Sequence, residues 1–86
     1  MPFFYTYVLK SLKDGQLYTG STNNLRERFE QHQKGKVIST KSRRPLTLIY
    51  YEACLSEDDA RRREKSLKTF RGKITLRRRL KSFFTG

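Results

Sequence analysis

Cysteine, histidine and acidic residues are scarce in this chain of 86 residues: one Cys, one His and 8 Asp plus Glu stand against 20 Lys plus Arg. A single cysteine, Cys54, excludes an internal disulfide, and one Cys with one His excludes zinc sites built from those ligands. Long apolar runs are also missing. None approaches the roughly 18 residues of a membrane span. Met1 to Leu9 lacks the charged flank and small-residue cleavage site of a secretory signal, so a reducing, cytoplasmic setting is expected. The length excludes a multidomain enzyme and predicts one domain over residues 1–86 with a single small core. No repeat or low-complexity linker divides it.

The hydrophobic share is 35%, but six Phe and five Tyr bring the aromatic share to 13%, which separates the chain from a disordered basic tail. The formal net charge of +12 calls for a polyanionic partner, nucleic acid first. Residues 61–86 carry most of it, with eleven basic side chains and the single acid Glu64. A basic run is by default a solvated helix face. Here Arg61-Arg62-Arg63 and Arg77-Arg78-Arg79 together face too many directions for solubility alone. The expected phosphate contacts are Arg61, Arg62, Lys65, Lys68, Arg71, Lys73, Arg77 and Arg78.

Local signals predict an α+β fold. Phe3 to Lys10 and Gln16 to Ser21 are extended and aromatic or β-branched, and Asp14-Gly15 between them signals a hairpin. Asn23 or Asn24 can cap a helix over about 24–34, with Leu25, Phe29 and His32 on its apolar face and Gly35 as its stop. A polar, basic loop over 36–44 leads to Pro45 and a strand over Leu46 to Ala53, after which Cys54 is expected as buried filler. Ser56 starts a second helix with Ala60, Glu64 and Leu67 on one face. Gly72 is expected to interrupt, and Leu76, Leu80 and Phe83 predict a third helix to about residue 83. The expected architecture is a small three-stranded antiparallel sheet flanked by about three helices, in the order ββα, loop, βαα.

Four kinds of side chain can carry chemistry. Glu64, on a helix face otherwise apolar, must be neutralised either by a core salt bridge with one of the arginines or by a hard cation such as Mg²⁺. Arg28 and His32, four residues apart, share a helix face and can approach one phosphate, or form a hydrogen-bonded core histidine beside a surface arginine. Tyr7 and Tyr18 fall on the same face of the hairpin if its loop has an even length. A two-residue turn at Asp14-Gly15 leaves the rings offset, and a loop centred on Leu12-Lys13 sets them opposite each other. Cross-strand tyrosines are otherwise ordinary sheet contacts.

In order and spacing these residues resemble the GIY-YIG nuclease family, specifically its small single-domain bacterial members, which are related to the catalytic domain of the excision-repair incision subunit. The resemblance covers residues 5 to about 70. Tyr5-Thr6-Tyr7 stands at the first motif and Tyr18-Thr19-Gly20 at the second, with Arg28 and His32 following and Glu64 in the second helix. It implies a structure- or strand-selective endonuclease hydrolysing phosphodiesters, DNA more than RNA, with one Mg²⁺ or Mn²⁺ and with targeting by branched structure, a protein partner or an oligomer. Repair, recombination or defence against mobile elements is the role expected of such an enzyme. By the same resemblance Glu64 would hold the metal and Tyr18 would act as general base on water. Tyr7 would share the hydrogen bonds of Tyr18, Arg28 would stabilise the phosphate, and His32 would assist the base. That logic is physically coherent, because a phosphodiester repels hydroxide until cationic groups neutralise it, and a phenol serves as a base at neutral pH only beside positive charge.

The chain departs from the family pattern at several places. Tyr5 replaces the first glycine, Thr19 replaces the isoleucine of the second motif, and Ser21 stands where some relatives carry lysine. The asparagine that many relatives carry near the end of the domain has no counterpart, since Asn23 and Asn24 are the only asparagines. A catalytically inactive, basic nucleic-acid-binding module of the same fold is therefore the competing expectation. An RNA- or ribosome-associated basic protein is the third.

Overall fold

The computed structural model describes residues 2–86. Strands β1 (Phe4–Ser11) and β2 (Leu17–Thr22) are followed by helices α1 (Leu25–Gln33) and α2 (Ile38–Lys41). Strand β3 (Leu46–Cys54) follows, then helices α3 (Glu57–Lys68), α4 (Phe70–Arg79) and α5 (Lys81–Thr85). The sheet is antiparallel with order β2-β1-β3, so the first strand is central and β2 is an open edge. This is the α+β fold expected, with five helices instead of about three. The two additional helices are short. One lies inside the segment read as a loop, and the other arises where the third helix breaks at Leu80, which packs against a core of Val8, Leu67 and Leu76.

Register decides what each face carries. Tyr7 pairs with Gly20, and Leu9 pairs with Tyr18, so Tyr5, Tyr7, Leu9 and Tyr18 point to the α1 side while Thr6, Val8, Thr19 and Ser21 point to α3 and α4. The hairpin does not close through a two-residue turn at Asp14-Gly15. Ser11 and Gln16 close a longer loop, in which the Ser11 hydroxyl accepts from the N–H groups of Lys13 and Asp14, and Gly15 takes φ 73°. That half-step displacement leaves the Tyr7 and Tyr18 rings as diagonal neighbours. On the other side of β1 a bulge at Ile49 lets Leu48 pair with Leu9 while Tyr50 pairs with Val8. Both Leu48 and Tyr51 consequently face α1.

The caps follow the local sequence. Asn24 accepts from the Glu27 N–H to start α1, and Ser56 accepts from the Asp59 N–H to start α3. Gly72 does not interrupt a helix. The break falls at Thr69, whose hydroxyl caps α4 by accepting from the Gly72 N–H, and Gly72 is buried where α4 crosses α3. Cys54 is half-buried rather than core, with its Sγ donating to the Ser56 carbonyl. Among the described residues no helix is long and apolar enough to cross a membrane.

Candidate active site

The α1 face of the sheet holds a buried hydrogen-bond chain. Tyr7 is 1% exposed and His32 and Thr40 are fully enclosed. Tyr7 Oη lies 2.9 Å from His32 Nε2, His32 Nδ1 lies 2.7 Å from Thr40 Oγ1, and Thr40 Oγ1 lies 3.5 Å from the Val37 carbonyl. Burial, and then the nearby Arg28 charge, lower the His32 pKa to about 4, so the ring is neutral at pH 7. One ring nitrogen donates and the other accepts. The polarity that pairs every donor runs from the Tyr7 hydroxyl to Nε2, from Nδ1–H to Thr40, and from the Thr40 hydroxyl to Val37. The Tyr7 oxygen then turns its lone pairs outward.

Tyr7 is fixed from the other side by Gly20. A Cβ at position 20 would sit 2.5 Å from Tyr7 Oη, so the ring occupies the space that any larger residue would take. Tyr18 packs edge-on against His32 at 5.1 Å between ring centroids and lies 6.4 Å from the Tyr7 ring. Arg28 makes an aligned hydrogen bond from Nη1 to Gln31 Oε1 at 3.0 Å. Its guanidinium lies beside both phenols, and the Tyr7 hydroxyl chiefly holds its pKa above the ordinary range while burial works the other way. Burial raises the Tyr7 pKa, which Arg28 only partly opposes, so Tyr7 is a protonated donor at neutral pH.

Glu64 stands on the other face of the sheet. The register puts Ser21 there, and its hydroxyl donates to Glu64 Oε1 at 2.6 Å, while Lys68 Nζ reaches Oε2 at 2.8 Å. The partner of Glu64 is thus a lysine one helical turn on, not an arginine, and the carboxylate sits at the sheet edge with 22% of its side chain exposed. Arg63, the neighbouring arginine, instead pairs with Glu52 at 2.6 Å. Desolvation opposes ionisation of Glu64, but the Lys68 and Ser21 hydrogen bonds and the Lys68 and Arg61 charges outweigh it and hold its pKa below the ordinary value. Its charge is felt at Tyr7 across the sheet.

The structure therefore brings Tyr7, Tyr18, Arg28 and His32 together and sets Glu64 across strand β2. His32 does not approach a phosphate, because both its ring nitrogens are engaged inside the protein. A polar groove of about 370 Å³ beside Arg28 is lined by Ser21, Asn23, Asn24, Gln31 and Glu57. A second cleft of about 270 Å³ joins Tyr18 to Lys68 and Lys73. Thr40 was invisible to sequence reasoning, since nothing local in a polar loop marks a partner for a histidine eight residues earlier. Ser21 is visible only as a departure from the family pattern.

Among the described residues no cluster of three or more His, Cys, Asp or Glu forms a metal cage. One ionised, part-exposed carboxylate suits a hard divalent ion that keeps most of its waters. Glu64 fits that description once it leaves Lys68.

With this geometry in place, the sequence profile of the GIY-YIG catalytic domain matches residues 3–79. The chain belongs to the GIY-YIG family. Members of that family are nucleases acting on nucleic acid, and they generally use divalent metals. Within it, the chain is 46% identical over 67 residues to a UPF0213 protein of Staphylococcus haemolyticus, covering 77% of this chain and 80% of that one. It is 36% identical over 78 residues to a UPF0213 protein of Staphylococcus aureus, covering 90% and 94%. The solution NMR structure of a UPF0213 protein from Bacillus halodurans superposes with a TM-score of 0.53 at 35% identity, over 86% of this chain and 81% of that one.

Proposed function

We propose that this chain is a divalent-metal-dependent endonuclease that hydrolyses phosphodiester bonds in DNA, its whole length folding as one catalytic domain. The observation that carries the reading is the convergence of Tyr18 and Arg28 on the buried Tyr7–His32–Thr40 chain, beside an edge strand whose other face holds Glu64. Tyr18 accepts the proton of the attacking water, with the Arg28 guanidinium beside it. Arg28 also offsets the charge that builds on the phosphate, from a position fixed before the substrate arrives. Tyr7, hydrogen-bonded to His32, lies beside Arg28 and Tyr18, and His32 acts through Tyr7 as a positioning residue. Glu64 is the residue that would hold Mg²⁺ or Mn²⁺, which when bound supplies Lewis-acid stabilisation of the phosphate.

Cleavage of supercoiled plasmid and of branched oligonucleotides tests this. Wild type should cleave with Mg²⁺ or Mn²⁺ and not with chelator. Tyr18→Phe and Glu64→Ala should each lose about 10²–10⁴-fold in rate while binding DNA as wild type does. Equal cleavage by all three proteins would sink the assignment.

The engagement of both Glu64 oxygens by Ser21 and Lys68 favours a second reading, a nucleic-acid-binding module without turnover. The two separate on manganese binding followed by electron paramagnetic resonance in the presence of DNA. Under the nuclease reading wild type binds Mn²⁺ and Lys68→Met binds it more tightly. Under the second, only the variant binds.

A further inference from the structure

A cavity lies away from Arg28, on the opposite flank of α1, between that helix and β3. It holds about 500 Å³ and is walled by Tyr5, Phe29, Leu48 and Tyr51. That volume falls within the range of about 300–1,000 Å³ typical of small-ligand sites. We propose that it binds an unpaired nucleobase of the strand whose phosphate lies against Arg28, an inference that rests on the nucleic-acid reading above.

Two of its walls have no other evident task. The core on this face is built from Tyr7, Leu9 and Leu46, with Tyr18, Leu25, Phe29 and Leu48 packed against it. Tyr5 and Tyr51 lie outside that cluster. Their rings meet edge to face, 6.0 Å between centroids at 61°, forming an open corner in place of a closed stack. Tyr51 remains 54% exposed although it pairs with the buried Tyr7 across the sheet. Tyr5 is also the residue that stands where the family motif begins with glycine, so the corner depends on a departure in this chain.

The rim fits a base better than it fits an apolar ligand. The amide of Asn24 is engaged by the α1 cap and by Glu27, whereas Asn23 is placed to meet the donor and acceptor edge of a base. Arg26 adds a cation at the mouth. Asn23 and Asn24 line both this cavity and the Arg28 groove, so the two depressions adjoin at the start of α1. Aromatic faces take any base without reading its identity, and a base paired within a duplex cannot enter. The pocket would give a small nuclease preference for frayed, branched or single-stranded DNA without a separate recognition module.

The test uses the full chain in chelator, where no cleavage occurs, with single-stranded oligonucleotides carrying 2-aminopurine and blunt duplexes of equal length. Wild type should quench the 2-aminopurine and should lose affinity when the stacked nucleotide is made abasic. Tyr51→Ala should abolish the quench, weaken single-strand binding by about tenfold or more, leave duplex binding within about twofold, and become indifferent to the abasic substitution. Tyr51→Trp should keep the quench, which guards against a merely unfolded variant. Equal weakening toward single strand and duplex, or an unchanged abasic penalty in Tyr51→Ala, would overturn the proposal. The outcomes also separate the two readings. Quenching lost in Tyr51→Ala from a wild type that cleaves nothing leaves the base pocket standing and removes the nuclease. Cleavage abolished by Tyr18→Phe, with Tyr51→Ala binding as wild type, does the reverse.

Discussion

His32 has nowhere to put a second proton. Burial first, and the Arg28 charge second, depress its pKa from 6.5 to about 4. Between those values the unfolded chain takes up a proton that the folded chain refuses, so the unfolded state binds more protons and stability falls as pH falls. The loss is absent above about pH 6.5 and reaches about 3 kcal/mol near pH 4. Glu64 and Asp14, whose pKa values are lowered, also lose stability in acid, so the His32 share must be read as a difference between variants. Urea unfolding of wild type and His32→Gln at pH 7.5 and pH 5 should show the wild-type advantage shrinking by about 2 kcal/mol. A difference that does not move with pH would mean that His32 takes up its proton as readily in the folded protein as in the unfolded chain. The helical spacing of Leu25, Phe29 and His32 made the burial of this histidine readable. Its partner was not readable, because Thr40 reaches it only through the fold of α2.

At the scale of elements, the crossing of α3 and α4 turns on one missing methyl group. A Cβ at Gly72 would collide with the Ser66 carbonyl oxygen and lie 2.7 Å from the Leu67 Cα, both backbone atoms that cannot swing aside. Alanine is the better helix former by about 1 kcal/mol, yet overpacking of this kind costs about 1–3 kcal/mol. Because the clash is with backbone on the neighbouring helix, the second effect should win. Gly72→Ala should destabilise the protein by about 1–2 kcal/mol in chemical denaturation, and a stabilised variant would show that the helices are free to separate. The same residue marks the boundary of what sequence discloses. Caps and apolar spacing locate β1, β2, β3, α1 and the start of α3 to within a residue or two, because Asn24, Ser56 and Gly35 act on their own neighbours. Gly72 reads as a helix break because its local propensity is poor, whereas its function is set by a helix that passes behind it. The hairpin loop shows the same division: Asp14-Gly15 announced a turn, but the Ser11 hydroxyl decided where it closes.

For the molecule as a whole, the charge is concentrated but not uniformly available. On α3 the acids lie close to the bases: Arg61 pairs with Glu57, Arg62 with Asp59, and Lys68 with Glu64. On α4, from Phe70 to Arg79, there is no acid at all, and Arg71, Lys73, Arg77 and Arg78 have no carboxylate partner among the described residues. Surface ion pairs are worth little, but each acid lowers the local potential that a phosphate meets. The eight cations read from the sequence as one phosphate-binding set therefore divide, with α4 expected to carry more of the DNA contact than the start of α3. The longest dimension of the chain is 34 Å, which spans about ten base pairs at 3.4 Å each and limits the phosphates it can touch at once. Each phosphate contact adds about 0.9 to the slope of log affinity against log salt for duplex DNA. Binding titrations from 50 to 300 mM salt should show Arg77→Ala and Arg78→Ala each flattening that slope by about one unit, with Arg61→Ala and Arg62→Ala changing it by less than half as much. Equal loss at all four positions would spread the interface evenly over both helices, and an unchanged slope for Arg77→Ala and Arg78→Ala would remove α4 from it.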